Sequence, residues 1–327
     1  MTTNKKFLLA VDIGGTKVAG AVVTLDGRIL IENQVPTCQS GPKDGIQQII
    51  SLLEELLQDD AYALEDVLAI GVGIPAVLEP ETDFVIWGPN LSGWRDVDLR
   101  GALEVFFDLP VAVEYDGHTA VLGEWWCGAG KNYQSMVDII IGTGVGGGMV
   151  LDGRLFRGKT RLAGAAGWFG LTLDFDQQTD EKRALGFWES RIAGPAVTKR
   201  AKEVARQNPE SRLAVLDKEG DLSARTLFQA AEEGDAQSLK LCDQLAAEIG
   251  IGIANIVSLV DPQIVILGGG MGSNCGILLP RIREVVNSWA QPLAAQSVQI
   301  VLSTAGPQAG LLGAAYGALL RNVGERT

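Results

Sequence analysis

The sequence predicts an α/β protein built from two related domains. Its 327 residues suit two domains better than one, and its 41 glycines fit a chain with many tight turns. One pattern occurs at residues 6–34 and again at 135–158: strand, glycine turn, strand, Asp-Gly pair, strand. Further strands alternate with helical stretches in both halves, which is typical of α/β folds. We therefore expect two related cores, each starting with a glycine-turned β-hairpin.

In the first half, the Asp26-Gly27 pair between apolar runs is a strong hairpin signal. Residues 45–60 have the apolar spacing of an amphipathic helix, and residues 66–80 contain a buried strand that runs into a loop. A further strand is predicted to end near Tyr115. The next helix is predicted to open at Asp116 and to close before Gly128.

The second half continues with three helical stretches, then a buried strand that ends in glycines, a helix, a late strand and a small-residue C-terminal helix. In order, these lie within residues 187–207, 223–235, 236–261, 262–272, 277–291, 297–304 and 309–322. No low-complexity linker separates the two halves, so we expect the domains to pack closely and to hinge.

Composition argues against several classes of protein. The formal net charge of −13 at pH 7 disfavours binding to nucleic acids and to anionic membranes. We expect neither a signal peptide nor a membrane span of about 18 apolar residues. None of the four cysteines belongs to a C-x-x-C pair, so free thiols in a reducing cytoplasm are expected rather than zinc ligands: Cys38, Cys127, Cys242 and Cys275.

Three glycine clusters are candidates for holding phosphates, because glycine lets successive backbone N–H groups approach an anion. They are Gly14-Gly15-Thr16, Gly142-Thr143-Gly144 and Gly268-Gly269-Gly270. The two threonines can add hydroxyl donors, and the third cluster suits a nucleoside. Each cluster taken alone is also explained as a structural turn. The P-loop motif does not occur, and the dinucleotide-binding motif is rejected because strands rather than a helix follow Gly147.

Together the clusters resemble those of the ROK family of sugar kinases and sugar-responsive repressors. Matching runs occur in the family's order along nearly the whole chain: VDIGGTKVAGAVV, GIPAVLEPETDFVIWGPNLSGWRDVDL, VEYDGHTAVLGE, IIGTGVGGGMVLDGRLFRG, IAGPAV, PQIVILGGG and GLLGAAYGA. The resemblance implies two actin-like ATPase (ribonuclease H-like) domains with ATP and a sugar in the cleft between them. The implied domains are residues 1–117, with the helix at about 306–322 packing back on them, and 118–305.

The resemblance also implies roles for single residues. Asp116 matches the aspartate that accepts the proton of the sugar hydroxyl, although an aspartate before a helix is also an ordinary N-cap. We expect the helix N-terminus to keep its carboxylate ionised. Asp12 is implied to lie near Mg²⁺ and the phosphates, or else to satisfy its own turn. Asn90 is implied to lie close to the sugar, or else to cap a loop. His118, the only histidine, is expected to make a contact from the side of this helix, near the cleft.

The expected sugar pocket departs from the family pattern. The family's Glu-x-x-His is replaced, with Ala165 and Trp168 in the two positions, and Tyr115 stands where an asparagine is usual. Glu189 matches the remaining acidic sugar contact. Trp168 and Tyr115 could stack on an apolar sugar face or on an aglycone, or could fill a vacated pocket. The cysteine-rich zinc loop is absent from the sequence that follows, so no zinc is expected.

These features favour an ATP- and Mg²⁺-dependent kinase, expected as a cytoplasmic homodimer, that acts on a sugar derivative rather than on plain glucose. One alternative is a catalytically degenerate module that binds a nucleotide or a sugar. Another is a different phosphotransfer, with polyphosphate as donor or ATP hydrolysis as a switch. The repressor branch carries a DNA-binding segment before its first glycine turn, and it is disfavoured because Asp12 comes almost at once.

Overall fold

The computed structural model describes residues 5–58, 61–172 and 185–324. Its strands are β1 (Phe7–Ile13), β2 (Lys17–Thr24), β3 (Ile29–Pro36), β4 (Val67–Ile74), β5 (Val77–Leu78), β6 (Val85–Trp87), β7 (Arg95–Val97), β8 (Val111–Tyr115), β9 (Met136–Ile141), β10 (Val145–Leu151), β11 (Arg154–Leu155), β12 (Ile264–Gly268) and β13 (Gln299–Leu302).

The helices of the described residues are α1 (Pro42–Leu56), α2 (Leu99–Phe107), α3 (Asp116–Cys127), α4 (Glu189–Ile192), α5 (Gly194–Gln207), α6 (Arg212–Glu219), α7 (Ala224–Glu232), α8 (Ala236–Val260), α9 (Gly269–Gly272), α10 (Leu279–Trp289), α11 (Pro292–Ser297) and α12 (Ala309–Asn322).

The chain divides into two compact units. The first comprises Met1–Gln134, Gly148–Gly164 and Pro307–Thr327, and the second comprises Ser135–Gly147 and Ala165–Gly306. The boundary predicted at residue 117 falls inside α3, all of which lies in the first unit together with α12.

The first unit is built on a five-stranded sheet with the order β3-β2-β1-β4-β8. The first three strands form antiparallel pairs, whereas β1, β4 and β8 run parallel to one another. The carboxyl ends of these three parallel strands therefore meet at one edge of the sheet. Asp12 pairs with Gly73 there, and Gly73 pairs with Glu114, which brings Asp12 to the same edge as the junction between β8 and α3.

The small residues of α12 allow an unusually close approach to the sheet and to α3. A Cβ on Gly71 of β4 would lie 1.8 Å from the Ala314 carbonyl oxygen, and a Cβ on Gly313 would lie 1.5 Å from that of Thr119. Only glycine permits backbones to come this close. The helix α12 is thus held against both the strand beside Asp12 and the helix that begins at Asp116.

The second unit is built on the strands β9, β12 and β13, in which β12 pairs in parallel with β9 and β13. The strand β10 starts in this unit, and from Gly148 onward its residues lie in the first. The strand β12 is completely buried, as its apolar run predicts.

One helix in the described part of the chain, α8, is long and apolar enough to cross a membrane. Half of its most apolar stretch is buried inside the protein, and one side of it packs in the core of the second unit through Leu245, Ile249, Ile253 and Val257. This is the pattern of an amphipathic core helix.

Candidate active site

The first glycine turn, between β1 and β2, is fixed through its carbonyl groups. The Thr37 hydroxyl donates to the Gly14 carbonyl oxygen at 2.7 Å, and the Thr37 N–H donates to that of Thr16 at 3.0 Å. Gly15 and Thr16 are exposed. Lys17 lies to the side, where its Nζ donates to Gln34 Oε1 at 2.9 Å. An anion approaching the turn would meet the backbone and the Thr16 hydroxyl.

Asn90 lies beside this turn, in an open cavity of about 520 Å³. Its Cβ is 3.7 Å from the position that a Cβ on Gly15 would take. The cavity is lined by Gln39 and residues 87–95. The first unit thus brings together the predicted phosphate turn and the predicted sugar contact Asn90.

The structure also brings the second and third glycine clusters together, in the second unit. The Gly194 N–H, at the start of the helix α5, donates to the Gly142 carbonyl oxygen at 2.8 Å. A Cβ on Gly142 would point to within 3.9 Å of the Gly270 nitrogen, and a Cβ on Gly270 would have no atom within 4 Å. Gly269 has a φ of +79° and abuts Ile141. The result is an open cradle lined by backbone, which suits a phosphate or a nucleoside.

Glu189 lies next to this cradle. Its Oε2 accepts a hydrogen bond from the Val145 N–H at 2.7 Å, directly after the turn at Gly144. Burial raises the pKa of Glu189, and the Val145 N–H opposes the rise. The predicted sugar contact therefore belongs to the same end of the second unit as the predicted phosphate turn.

Trp168 does not fill a pocket within its unit: 58% of its surface is exposed, on the 3₁₀ turn Ala166–Trp168. The backbone of Gly167 packs against the side chain of Glu189, so the turn is held beside that carboxylate. This exposure contradicts packing of Trp168 in a core, and its stacking on a ligand stays a prediction. Trp188, in contrast, is buried in the core.

Asp116 is the first residue of α3 and not its N-cap. Tyr115 occupies the N-cap position, without a capping side chain. The Asp116 carboxylate accepts the N–H of Gly117 at 2.8 Å, rather than an N–H of the next turn. The interpretation of Asp116 as an ordinary capping residue is therefore wrong.

The surroundings of Asp116 make its carboxylate more basic than usual. Burial raises its pKa to about 6, against the Gly117 N–H and the His118 side chain, which both favour the ionised form. Desolvation thus outweighs the hydrogen bond at the helix N-terminus. The carboxylate is still mainly ionised at neutral pH, with enough basicity to accept a proton.

Asp12 is the second carboxylate at this edge of the sheet. It lies over Gly73 and Gly310, where a Cβ on Gly310 would come within 2.5 Å of its Oδ2. Burial raises the pKa of Asp12 to about 7, repulsion by Asp116 adds to the rise, and Lys17 opposes it. Two carboxylates that repel each other in a partly buried place favour a cation between them.

His118 is completely buried, which corrects the expectation that it borders the cleft. Its Nδ1 lies 3.1 Å from Glu114 Oε1 and its Nε2 lies 3.0 Å from the Ala163 carbonyl oxygen. Tyr115 packs edge-to-face on its ring, with 5.3 Å between the ring centroids. His118 therefore supports the structure next to Asp116 and does not face a substrate.

Sequence reasoning missed the arginines that surround Glu114. Arg157 and Arg161 both donate to this carboxylate, and Arg161 also binds Asp83. The only signal was the basic stretch RLFRGKTR at residues 154–161, which a single sequence does not connect to Glu114.

The cysteines and the possible metal ligands of the described residues bear on the expectation that no zinc is bound. Burial raises the pKa of Cys242 and of Cys275 to about 12, so neither thiol is reactive. Among the residues that the structure describes, no three His, Cys, Asp or Glu side chains form a metal-binding group. Residues 173–184, where the family's zinc loop was sought, lie outside the described residues.

Comparison with known proteins places this geometry in a family. The model of the ROK family matches residues 8–320. A glucokinase from Halalkalibacterium halodurans is 32% identical, over 95% of this chain and 94% of its own length. A xylose repressor from Caldicellulosiruptor bescii is 26% identical, over 86% of this chain and 70% of its own length.

Among solved structures, a ROK family glucokinase from Streptomyces griseus in complex with glucose and AMPPNP has a TM-score of 0.80. It is 30% identical, and the match covers 96% of this chain and 99% of that one. The fold predicted from the sequence, two α/β domains of the actin-like ATPase type, is confirmed. With its glycine hairpins, its Glu-Tyr-Asp junction and a family match along nearly its whole length, the chain belongs to the ROK family.

Proposed function

We propose that this protein is an ATP-dependent kinase that phosphorylates a hydroxyl of a sugar or sugar derivative, with Asp116 as the general base. The observation that carries the proposal is the half-buried Asp116 carboxylate, with a pKa of about 6, at the edge of the sheet that also presents Asp12. The similarity to glucokinases over nearly the whole chain supports it.

Each residue has a defined task in the proposed mechanism. Asp116 accepts the proton of the attacking hydroxyl as the new O–P bond forms and the bond from the γ-phosphorus to the oxygen of the departing ADP breaks. This requires the ionised form of Asp116. Asn90 and Glu189 orient the sugar by hydrogen bonds. The N–H groups of Gly15, Thr16, Thr143 and Gly144 bind phosphate oxygens, with the hydroxyls of Thr16 and Thr143. Residues 268–270 face the adenosine.

The site at Asp12 suits Mg²⁺ better than a structural metal ion, which needs more protein ligands. Mg²⁺ is commonly held by one or two carboxylates together with water and substrate phosphates. When bound, it would neutralise phosphate charge. A pair of carboxylates whose pKa values are both raised gains from such a cation, and this fits the absence of a larger ligand group among the described residues.

The substrate is proposed to be a sugar derivative rather than plain glucose. The positions of three polar sugar contacts hold Ala165, Trp168 and Tyr115, and each sugar hydroxyl left without a partner would cost about 1–3 kcal/mol. The exposed indole of Trp168 offers a flat apolar surface for an acyl or aryl group.

The expected assembly and location are part of the same proposal. A cytoplasmic homodimer follows from family resemblance. Leu259, Trp289 and Leu293 are apolar and largely exposed in the second unit, which is compatible with an interface. Sedimentation of the purified protein tests the dimer.

The proposal is tested by measuring ADP release with Mg-ATP against hexoses, N-acyl and amino sugars, deoxy sugars, polyols and aryl glycosides. Asp116→Asn should lower kcat about 10²- to 10⁴-fold, since the amide cannot accept the proton. Asp108→Asn, at an exposed left-handed C-cap position that asparagine tolerates, is the matched control and should leave kcat unchanged.

A second candidate is a nucleotide- or sugar-binding module without catalysis, favoured by the loss of Glu-x-x-His and by similarity to a xylose repressor. It predicts that calorimetry detects binding of the nucleotide or a sugar while no sugar in the panel is phosphorylated. If the wild type phosphorylates a sugar, equal activity of Asp116→Asn would contradict the base assignment.

A further inference from the structure

A buried cluster of charged side chains surrounds Glu114, two residues before Asp116. Glu114 Oε1 accepts hydrogen bonds from an Arg161 Nη at 3.0 Å and from His118 at 3.1 Å, and Oε2 accepts one from Arg157 Nε at 2.7 Å. Burial opposes ionisation of Glu114, yet the bond from His118 and the two guanidinium groups hold its pKa well below the usual range. Glu114 is therefore a fixed negative centre.

His118 joins this cluster through both nitrogens of its ring. Its Nδ1 lies 3.1 Å from Glu114 Oε1 and its Nε2 lies 3.0 Å from the Ala163 carbonyl oxygen, so the buried ring connects the β8–α3 junction to the segment that carries Arg161. The His118 side chain lies two residues after Asp116 and favours the ionised form of the Asp116 carboxylate.

Arg161 joins Glu114 to a second buried carboxylate. One of its Nη atoms pairs with Asp83, and the other binds Glu114 and the Val113 carbonyl oxygen at 3.3 Å. Arg161 has a φ of +57°, which is unfavourable for a residue with a Cβ. The ion pairs offset this cost. Asp83 also pairs with Arg321 of α12 and with Arg100 of α2, so the cluster ties together five segments of the first unit.

We propose that Arg161 and His118 are positioning residues: through Glu114 they fix the β8–α3 junction, and with it the direction of the Asp116 carboxylate. The inference rests on the proposed function and deepens it. Glu114 and His118 flank Asp116 by two residues on either side, and both are held by buried partners. Since Arg161 and His118 are buried, they act through Asp116 and do not touch the substrate.

The test compares Arg161→Met with Arg161→Lys, and uses Arg154→Met, an exposed arginine on β11, as the matched control. Hydrogen–deuterium exchange should become faster in the peptide covering residues 111–122 of Arg161→Met, and should be unchanged in the control. We expect kcat to fall about 10- to 100-fold, because a misplaced base loses orientation. The KM for ATP should stay within about twofold.

Arg161→Lys keeps the charge but reaches only one carboxylate, so part of kcat should return. His118→Gln keeps a single donor and should lie between wild type and Arg161→Met. Circular dichroism checks that each variant is folded. If Arg161→Met is unfolded, the exchange rate and kcat of Arg161→Lys decide by the same criteria.

Unchanged exchange at residues 111–122 in Arg161→Met would overturn the proposal. So would faster exchange with normal kcat, because the cluster would then only support the fold. An equal rise in the KM values for sugar and ATP without loss of kcat would also contradict positioning of the base. If the wild type phosphorylates no sugar, the proposed function fails and the positioning role fails with it, while the exchange data still report whether the cluster holds the junction.

Discussion

The junction at Asp116 in the first unit and the cradle at Gly142 and Gly270 in the second are built in opposite ways. Around Asp116, backbones touch, ion pairs are buried, and the neighbouring side chains have fixed partners. At Gly270 a Cβ would meet nothing within 4 Å, and Trp168 in the same unit is exposed. A base requires fixed geometry, whereas a ligand requires room. The contrast fits the roles proposed for the two places, a base at Asp116 and a ligand site at the cradle.

The largest effect is expected from a substitution that separates α12 from α3 and so disrupts the close packing around Asp116. Gly313→Ala places a Cβ 1.5 Å from the Thr119 carbonyl oxygen, so the helices must move apart. We expect the free energy of unfolding to fall by about 3 kcal/mol, measured by urea titration. Gly317→Ala, whose Cβ would be 3.5 Å from Leu122, should be neutral or stabilising by up to about 1 kcal/mol. Equal stability of the two variants would contradict the close packing.

The second prediction concerns pH. The Asp116 pKa of about 6 implies that the base is ionised above pH 6 and protonated below it. With saturating Mg-ATP, kcat should therefore fall at least about tenfold for each pH unit below this value. It should level off only above about pH 7, because Asp12, whose pKa is raised to about 7, also titrates in this range. The opposite slope, or a flat profile between about pH 5 and 8, would remove Asp116 as the base. Glu114, whose pKa is lowered, remains ionised throughout this range and cannot cause the fall.

The third prediction tests the open cradle at Gly142 and Gly270. Gly270→Ala meets no atom within 4 Å, so the free energy of unfolding should not change. The added methyl group would occupy space proposed for the nucleotide and should raise the KM for ATP about tenfold, or roughly 1.4 kcal/mol. Gly276→Ala, whose Cβ would be 3.7 Å from Leu302, is the control and should change neither quantity. An unaltered KM in Gly270→Ala would place the nucleotide elsewhere.

The smallest effect is expected at Trp168. Because 58% of its surface is exposed, Trp168→Ala should leave stability unchanged and lower kcat/KM for an acyl or aryl sugar about three- to tenfold. Trp168→His restores the family's residue and should favour glucose instead. Trp289→Ala removes another exposed indole of the second unit and should alter neither substrate. A uniform loss on all sugars would show that Trp168 does not select the substrate.

The sequence allowed much of the fold to be predicted, because the signals were local. Asp-Gly pairs marked the hairpins, apolar spacing marked the helices, and Asp116 was correctly placed at the start of α3. The glycine clusters were found for the same reason. The cradle that two of these clusters form in the second unit was not predicted, because Gly142, Gly194 and Gly270 are far apart in the chain.

The features that could not be predicted depend on burial and on partners that are distant in the sequence. His118 bonds to Ala163, 45 residues away, and nothing near His118 indicates this. The raised pKa of Asp116 could not be predicted, because the helix N-terminus is visible in the sequence and desolvation is not. Arg161 could not be assigned, since its two carboxylate partners come from different parts of the chain.

The position of α12 has a consequence for the order in which the protein folds as it is synthesised. The strand β4 and the helix α3 emerge early, but the glycine-rich surfaces of both remain uncovered until residues 309–322 have been made. All of the second unit is translated in the meantime. The unit that begins the chain is thus completed last, and a ribosome stalled before residue 309 would carry a finished second unit beside an unfinished first one.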